Sequence, residues 1–209
     1  MALTNSQRKE FLMKYSELTL GTVEAVVNKL GGMEGVQAFL RDELVLTKKT
    51  GQTFPLRHTI KLGTEETTDA LKESLKKAGC DVSDWANDIM NQPTFTLSKS
   101  ENELDLVVFS LADLGFIGAR YKNICEKAKE LGLQLCPLEV GPQLRLQYAD
   151  QPKGEWLIIA MEPIAVSGGD LGVFGVGRGD DGEQWLNGHY GHPGSFWRSN
   201  YRFVFVRSK

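Results

Sequence analysis

Two groups of residues in this chain have the types and spacing to do chemistry. The first lies within residues 132–164, where Glu139, Arg145, Gln147, Tyr148 and Glu155 set carboxylates on either side of an arginine and an aromatic ring, with Glu162 beyond. Such a set can hold a polar ligand, or catalyse a hydrolysis if the fold draws it within a few ångströms. Its structural counterpart is a cross-strand pair of Arg145 with Glu155, and a Glu139 that only finishes a loop between Pro137 and Pro142. The second group follows Gly177: Asp180, Asp181, Trp185, His189 and His192, with the two histidines in the string HYGH. Imidazole and carboxylate can bind a transition metal or act as an acid and base pair. HxxH in a glycine-rich stretch lacks the helical spacing of a metalloprotease motif, so neither a metal site nor a cofactor is assigned. These ten residues are the candidates for ligand binding, and no catalytic residue is singled out.

Other motifs fall away on physical grounds. Gly175, Gly177 and Gly179 spell GVGRG, but a phosphate-binding loop needs a helix immediately after it, and here Asp180, Asp181 and Gly182 make an acidic turn. Arg178, Gly179 and Asp180 share the letters of an adhesion motif in a chain without an export signal. No GxSxG elbow is present, and Cys80, Cys125 and Cys136 are odd in number and lack a CxxC pair. Reduced thiols are expected, with Cys125 and Cys136 in the core.

The elements that must position the candidates follow from periodicity. Gln143, Arg145 and Gln147 alternate with Leu144, Leu146 and Tyr148, which predicts a half-buried strand over 143–148 with a polar reading face. The run Trp156–Met161 predicts a strand covered on both sides, and Trp156, Ile158, Ile159, Val204 and Phe205 are expected in the core. Residues 177–200 read as one long ordered loop, too long for a simple hairpin and anchored by Trp185, Tyr190, Phe196 and Trp197. Upstream, a strand is expected around Phe54–Leu62, a helix on Leu71, Leu75 and Ala78, a helix capped by Ser83, and a helix over Tyr121–Leu131. Residues 94–98 and 104–111 read as the arms of a hairpin.

Residues 1–46 read as a helical unit with a helix-turn-helix-like outline, and residues 53–209 as an α+β domain. The first helix of the unit would carry Phe11, Leu12, Tyr15 and Leu18, the second Val23, Val26, Val27 and Leu30, and the third Met33, Val36, Phe39 and Leu40. Arg8, Lys9, Lys14, Lys29 and Arg41 are offset by Glu10, Glu17, Glu24, Glu34, Asp42 and Glu43, a poor footprint for a nucleic-acid backbone.

The whole chain of 209 residues carries a formal charge of −3, so it has no global attraction to nucleic acid or to an anionic membrane. Neither a secretory leader nor an apolar run of about 20 residues is seen, and a cytoplasmic protein is expected. The strings LGLQLCPLEVGPQLRLQYADQPKGEWLIIAMEPI, VFGVGRGDDGEQWL and RFVFV resemble a widespread family of uncharacterised bacterial proteins, over most of the chain. That resemblance implies a bacterial intracellular origin and brings no activity with it. The expected architecture is α+β, a small N-terminal helical unit followed by a mainly antiparallel sheet flanked by helices. The expected function is a soluble binding protein for a protein or small polar ligand, sited at the 143–148 strand and the 177–200 loop. A hydrolase using Glu139, Asp180, Asp181, His189 or His192, and nucleic-acid binding by the N-terminal helices, are the alternatives.

Overall fold

The computed structural model describes residues 19–41 and 56–207. Contacts divide the chain into Met1–Gly51 and Gln52–Lys209. In the first unit, α1 (Leu20–Lys29) starts where Thr19 Oγ1 accepts from Thr22 N, and α2 (Met33–Leu40) follows two glycines with positive φ. Neither helix has a buried residue, and Leu20, Val26, Met33 and Leu40 are exposed. The expected helix on Phe11–Leu18 lies outside the described residues.

The second unit is an α+β fold built on one mixed sheet. Its elements are β1 (Leu56–Leu62), α3 (Thr68–Lys77), β2 (Asp81–Val82), α4 (Asp84–Asn91), β3 (Asn102–Ser110), β4 (Gly118–Arg120), α5 (Tyr121–Glu130) and β5 (Leu133–Gln134). After these come α6 (Val140–Gln147), β6 (Trp156–Ile159), β7 (Ile164–Ala165), β8 (Leu171–Arg178), β9 (Gln184–Tyr190), β10 (Phe196–Arg198) and β11 (Arg202–Arg207). The sheet runs β1-β3-β11-β6-β8-β9-β2, with β5 beside β11 and β7 beside β8, while β10 and β4 form a separate ribbon. β11 runs parallel to β6 and β2 parallel to β9, and the remaining pairs are antiparallel.

Local signals placed several elements correctly. Thr67 and Ser83 cap α3 and α4 by accepting from Ala70 N and Ala86 N, and each helix turns its apolar residues inward, Leu71 and Leu75 from α3, Ala86, Ile89 and Met90 from α4. The helix expected over Tyr121–Leu131 is α5, with Tyr121, Ile124, Cys125 and Ala128 buried. Ile158, Ile159, Val204 and Phe205 are buried at the centre of the sheet, and all three cysteines are free and buried. Burial pushes the Cys125 thiol up to about 11 and Cys136 far above the ordinary thiol range.

Four expectations are corrected. Residues 143–148 are not a strand: 140–147 form α6. Alternation over six residues is also compatible with a short helix when both flanks are buried, and tertiary burial decides between the two periods. Residues 177–200 are not one loop but contain the end of β8, a tight turn, β9 and β10. The hairpin of 94–98 with 104–111 is absent, because β3 takes β1 and β11 as neighbours and 95–98 is irregular. Trp156 is not in the core but 38% exposed.

Candidate ligand-binding cleft

The two groups of candidate residues meet different fates, beginning with those on α6. Glu139, Gln143 and Gln147 stand four residues apart and therefore share one helix face. Glu139 Oε1 accepts from Gly63 N at 2.8 Å and from Gln143 Nε2 at 2.9 Å, and its Oε2 accepts from Ser98 N at 2.8 Å. Gln143 also donates to Thr64 Oγ1. Gln147 both accepts from Lys61 N at 2.8 Å and donates to Lys61 O at 2.7 Å, completing the backbone pairing of edge strand β1 with a side-chain amide. The three residues are a latch between helix and sheet edge. Arg145 is fully buried and donates to Gln151 Oε1 at 2.6 Å, Gly177 O at 2.9 Å and Tyr148 O at 2.5 Å. It does not pair with Glu155, and its guanidinium serves as a buried hub for carbonyl oxygens.

Glu155 belongs to a different construction. Its Oε1 accepts from Arg202 Nη1 at 2.8 Å and from Arg57 Nη2 at 3.2 Å, while Tyr148 Oη donates to Oε2 at 2.9 Å. The carboxylate side chain is 5% exposed, but Arg57 and Arg202 are 41% and 39% exposed. A bulge in β1 makes Arg57 the extra residue, since Leu56 pairs with Val107 and His58 already with Leu106, and such an irregularity re-aims a side chain. Burial and the bond to Glu155 raise the Tyr148 phenol, and the His58 ring packs 3.9 Å from the Tyr148 ring. Tyr148 is therefore a fixed donor that helps immobilise the carboxylate both arginines share.

Beside this pair opens a cleft of about 760 Å³, within the range of small-molecule sites. Its walls include Arg57, Glu155 and Arg202, and its floor is made of Trp156, Asn187 and His189. The floor explains the glycines of GVGRG. On β8, Gly172 and Phe174 face helices α4 and α6, so Gly175 and Gly177 face the other way. A Cβ on Gly177 would fall 2.3–2.5 Å from three atoms of the Trp156 ring, and one on Gly175 would fall 2.5 Å from His189 Cδ2 and Nε2. Two flat rings thus lie directly on the strand backbone, which only glycine permits. One face of Trp156 is pressed to the sheet and the other is left to the cleft.

His189 sits on this floor without a charged neighbour. Burial alone lowers its ring below the ordinary imidazole value, which makes it neutral at pH 7, and its buried Nε2 has no hydrogen-bond partner. His192 is exposed and its Nδ1 accepts from Gly194 N at 3.0 Å. Asp180 and Asp181 occupy the exposed turn between β8 and β9, where Asp181 Oδ1 accepts from Glu183 N and Lys153 donates to both backbone carbonyls. Trp185, half-buried in β9, is paired with Gly177 and Asp81. Among the described residues no carboxylate is hydrogen-bonded to either of these histidines, and no group of three or more His, Cys, Asp or Glu is arranged to hold a metal.

Of the ten candidates, then, the cleft collects Glu155 and His189 on its surface and Tyr148 behind it. Glu139, Arg145 and Gln147 are spent on the fold, Asp181 and His192 are spent on turns, and Asp180 stands exposed on the β8–β9 turn. Sequence reasoning missed Arg57, Asn187 and Arg202 as site residues and placed Trp156 in the core. The available signal was the alternation of Gly175 and Gly177 in a strand rich in large residues, which marks a close approach rather than a loop. Among the described residues no helix is long and apolar enough to cross a membrane. The chain matches no protein-family model, no curated protein and no solved structure, and the reading of the site rests on this geometry.

Proposed function

We propose that the protein is a binding protein whose ligand is a small organic anion, held in the cleft between Arg57, Arg202 and the Trp156–His189 floor. The observation that carries this reading is the arginine pair. Two guanidinium groups converge on a single buried oxygen from side chains that line the cleft and are still about two-fifths exposed, so a fixed cationic pair faces solvent. One carboxylate balances only one of them. In a chain whose net charge is −3, a locally positive concave surface favours an anion by charge and by geometry.

The binding reading is favoured over a hydrolase because His189 lacks an orienting carboxylate, while Glu139 and Asp181 are engaged elsewhere and Asp180 stands on an exposed turn. A bacterial, cytoplasmic setting belongs to the same proposal, supported by the resemblance noted in the sequence. So does the finer architecture, an N-terminal helical unit before a mainly antiparallel sheet, supported by α1 and α2 and by the antiparallel pairs around β3 and β8. The test is titration of the full chain with inorganic phosphate and with acetate, followed by the indole resonance of Trp156. Saturable shifts that disappear in Arg202→Gln are expected, and no shift with either anion up to tens of millimolar refutes the reading.

A further inference from the structure

From the floor and the fork together we infer that the ligand is a nucleoside monophosphate, its base stacked on Trp156 and its phosphate held by Arg57 and Arg202. This deepens the anion-binding reading and rests on it.

The base is called for by the floor. The Trp156 ring is laid on Gly177 in a residue that stays 38% exposed, beside the His189 ring laid on Gly175. A partly exposed indole on the floor of a cleft suits a planar partner, and base–aromatic stacking tolerates any base. Between them, Asn187 is paired in register with Gly175. Its Oδ1 accepts from Gly188 N at 2.8 Å, which fixes the amide, while its NH₂ donates to no described residue. That leaves a positioned donor for an acceptor on the edge of a base.

The phosphate is called for by the wall. A ligand carboxylate would offer the two guanidiniums no more oxygens than Glu155 already does, whereas a phosphate monoester offers three and can be shared between both forks. The charged residues lining the cleft, Arg57, Lys153 and Arg202 against Glu155, leave two positive charges, and the monoester is close to a dianion at neutral pH. A cleft of about 760 Å³ is large enough for base, sugar and phosphate together.

The experiment is calorimetric titration of the full chain with adenosine and cytidine monophosphates, inorganic phosphate, adenosine and benzoate. At least one monophosphate is expected to bind about tenfold or more tightly than phosphate and than adenosine, as stacking of one base provides. Trp156→Leu is expected to abolish that advantage while phosphate binding persists, and Arg202→Gln to weaken the monophosphate about tenfold or more. Asn187→Ala, at a half-buried position, serves if Trp156→Leu does not fold, and is expected to narrow the margin over phosphate. If the nucleotides bind no better than phosphate, or benzoate binds as well as they do, this inference fails while the anion-binding reading stands. If neither the nucleotides nor phosphate bind, both fail.

Discussion

The polar face of α6 and the wall of the cleft are made from the same kinds of residue, yet they differ in how completely their hydrogen-bonding capacity is used. On α6, Glu139 places both oxygens against backbone N–H groups, Gln147 pairs both ends of its amide with Lys61, and Arg145 spreads its two terminal nitrogens over three oxygens, with only its Nε left unpaired. In the cleft, Arg57 and Arg202 each give an N–H to Glu155 while their side chains stay about two-fifths exposed. Saturation marks a residue that holds the fold together, and partial saturation in a concave surface marks one kept for a partner. Burial alone would have ranked Arg145 first and the cleft arginines last.

The comparison can be broken most directly at Arg145. Arg145→Leu takes the guanidinium away from Gln151 Oε1, Gly177 O and Tyr148 O in the interior, of which Tyr148 O keeps the Gln151 N–H, and a loss of about 3 kcal/mol is expected from the buried acceptors deprived of it. Urea denaturation reads it, and a change below about 1 kcal/mol would show that water can replace the guanidinium. Next is Glu139→Gln, which keeps the shape but turns one acceptor into a donor facing the Gly63 or Ser98 N–H. A loss of about 1–3 kcal/mol is expected in the same measurement.

On the cleft side the effects on the fold are smaller. Because burial depresses the folded-state value of His189, the unfolded chain binds protons that the folded chain refuses as pH falls below about 6.5. Stability therefore rises with pH through that window and is lost on acidification. His58, lowered by burial and by Arg57, acts in the same direction. His189→Gln should make the fall in the urea midpoint between pH 7.5 and 5 shallower without changing the fold at pH 7.5; an unchanged slope would mean that the ring is already solvated. Smallest of all is Arg202→Gln. Its side chain is 39% exposed and Glu155 keeps Arg57 and Tyr148, so the thermal midpoint should move by no more than the equivalent of about 1 kcal/mol. A larger loss would move Arg202 to the structural side of the comparison.

Much of the secondary structure was legible because its determinants are local. Thr67 and Ser83 announce their helices by accepting from the third amide on, the stripe of Tyr121, Ile124, Cys125 and Ala128 is helical at any burial, and Ile158 and Ile159 sit in an apolar run that can only be interior. The site was much less legible. Arg57 and Glu155 are 98 residues apart and meet only through the strand order β1-β3-β11-β6 and a bulge in β1. Trp156 looked like the first residue of a core strand and turned out to lie along a glycine.

What the sequence by itself determined is the set of local commitments: an α+β class, the caps, the apolar strands at the centre and three thiols without a pairing pattern. What the tertiary structure decided is which polar residues are spent and which are free. Residues 140–147 became a helix because Val140, Leu144 and Arg145 are buried between β1 and β8 while Gln143 and Gln147 reach the β1 edge, a choice between two periods that six residues cannot make alone. The cleft exists because strands distant in sequence bring two guanidiniums to one buried carboxylate beside two rings resting on glycines. Hydrogen-bond saturation is a property of neighbours in space, and neighbours in space are what a linear pattern does not contain.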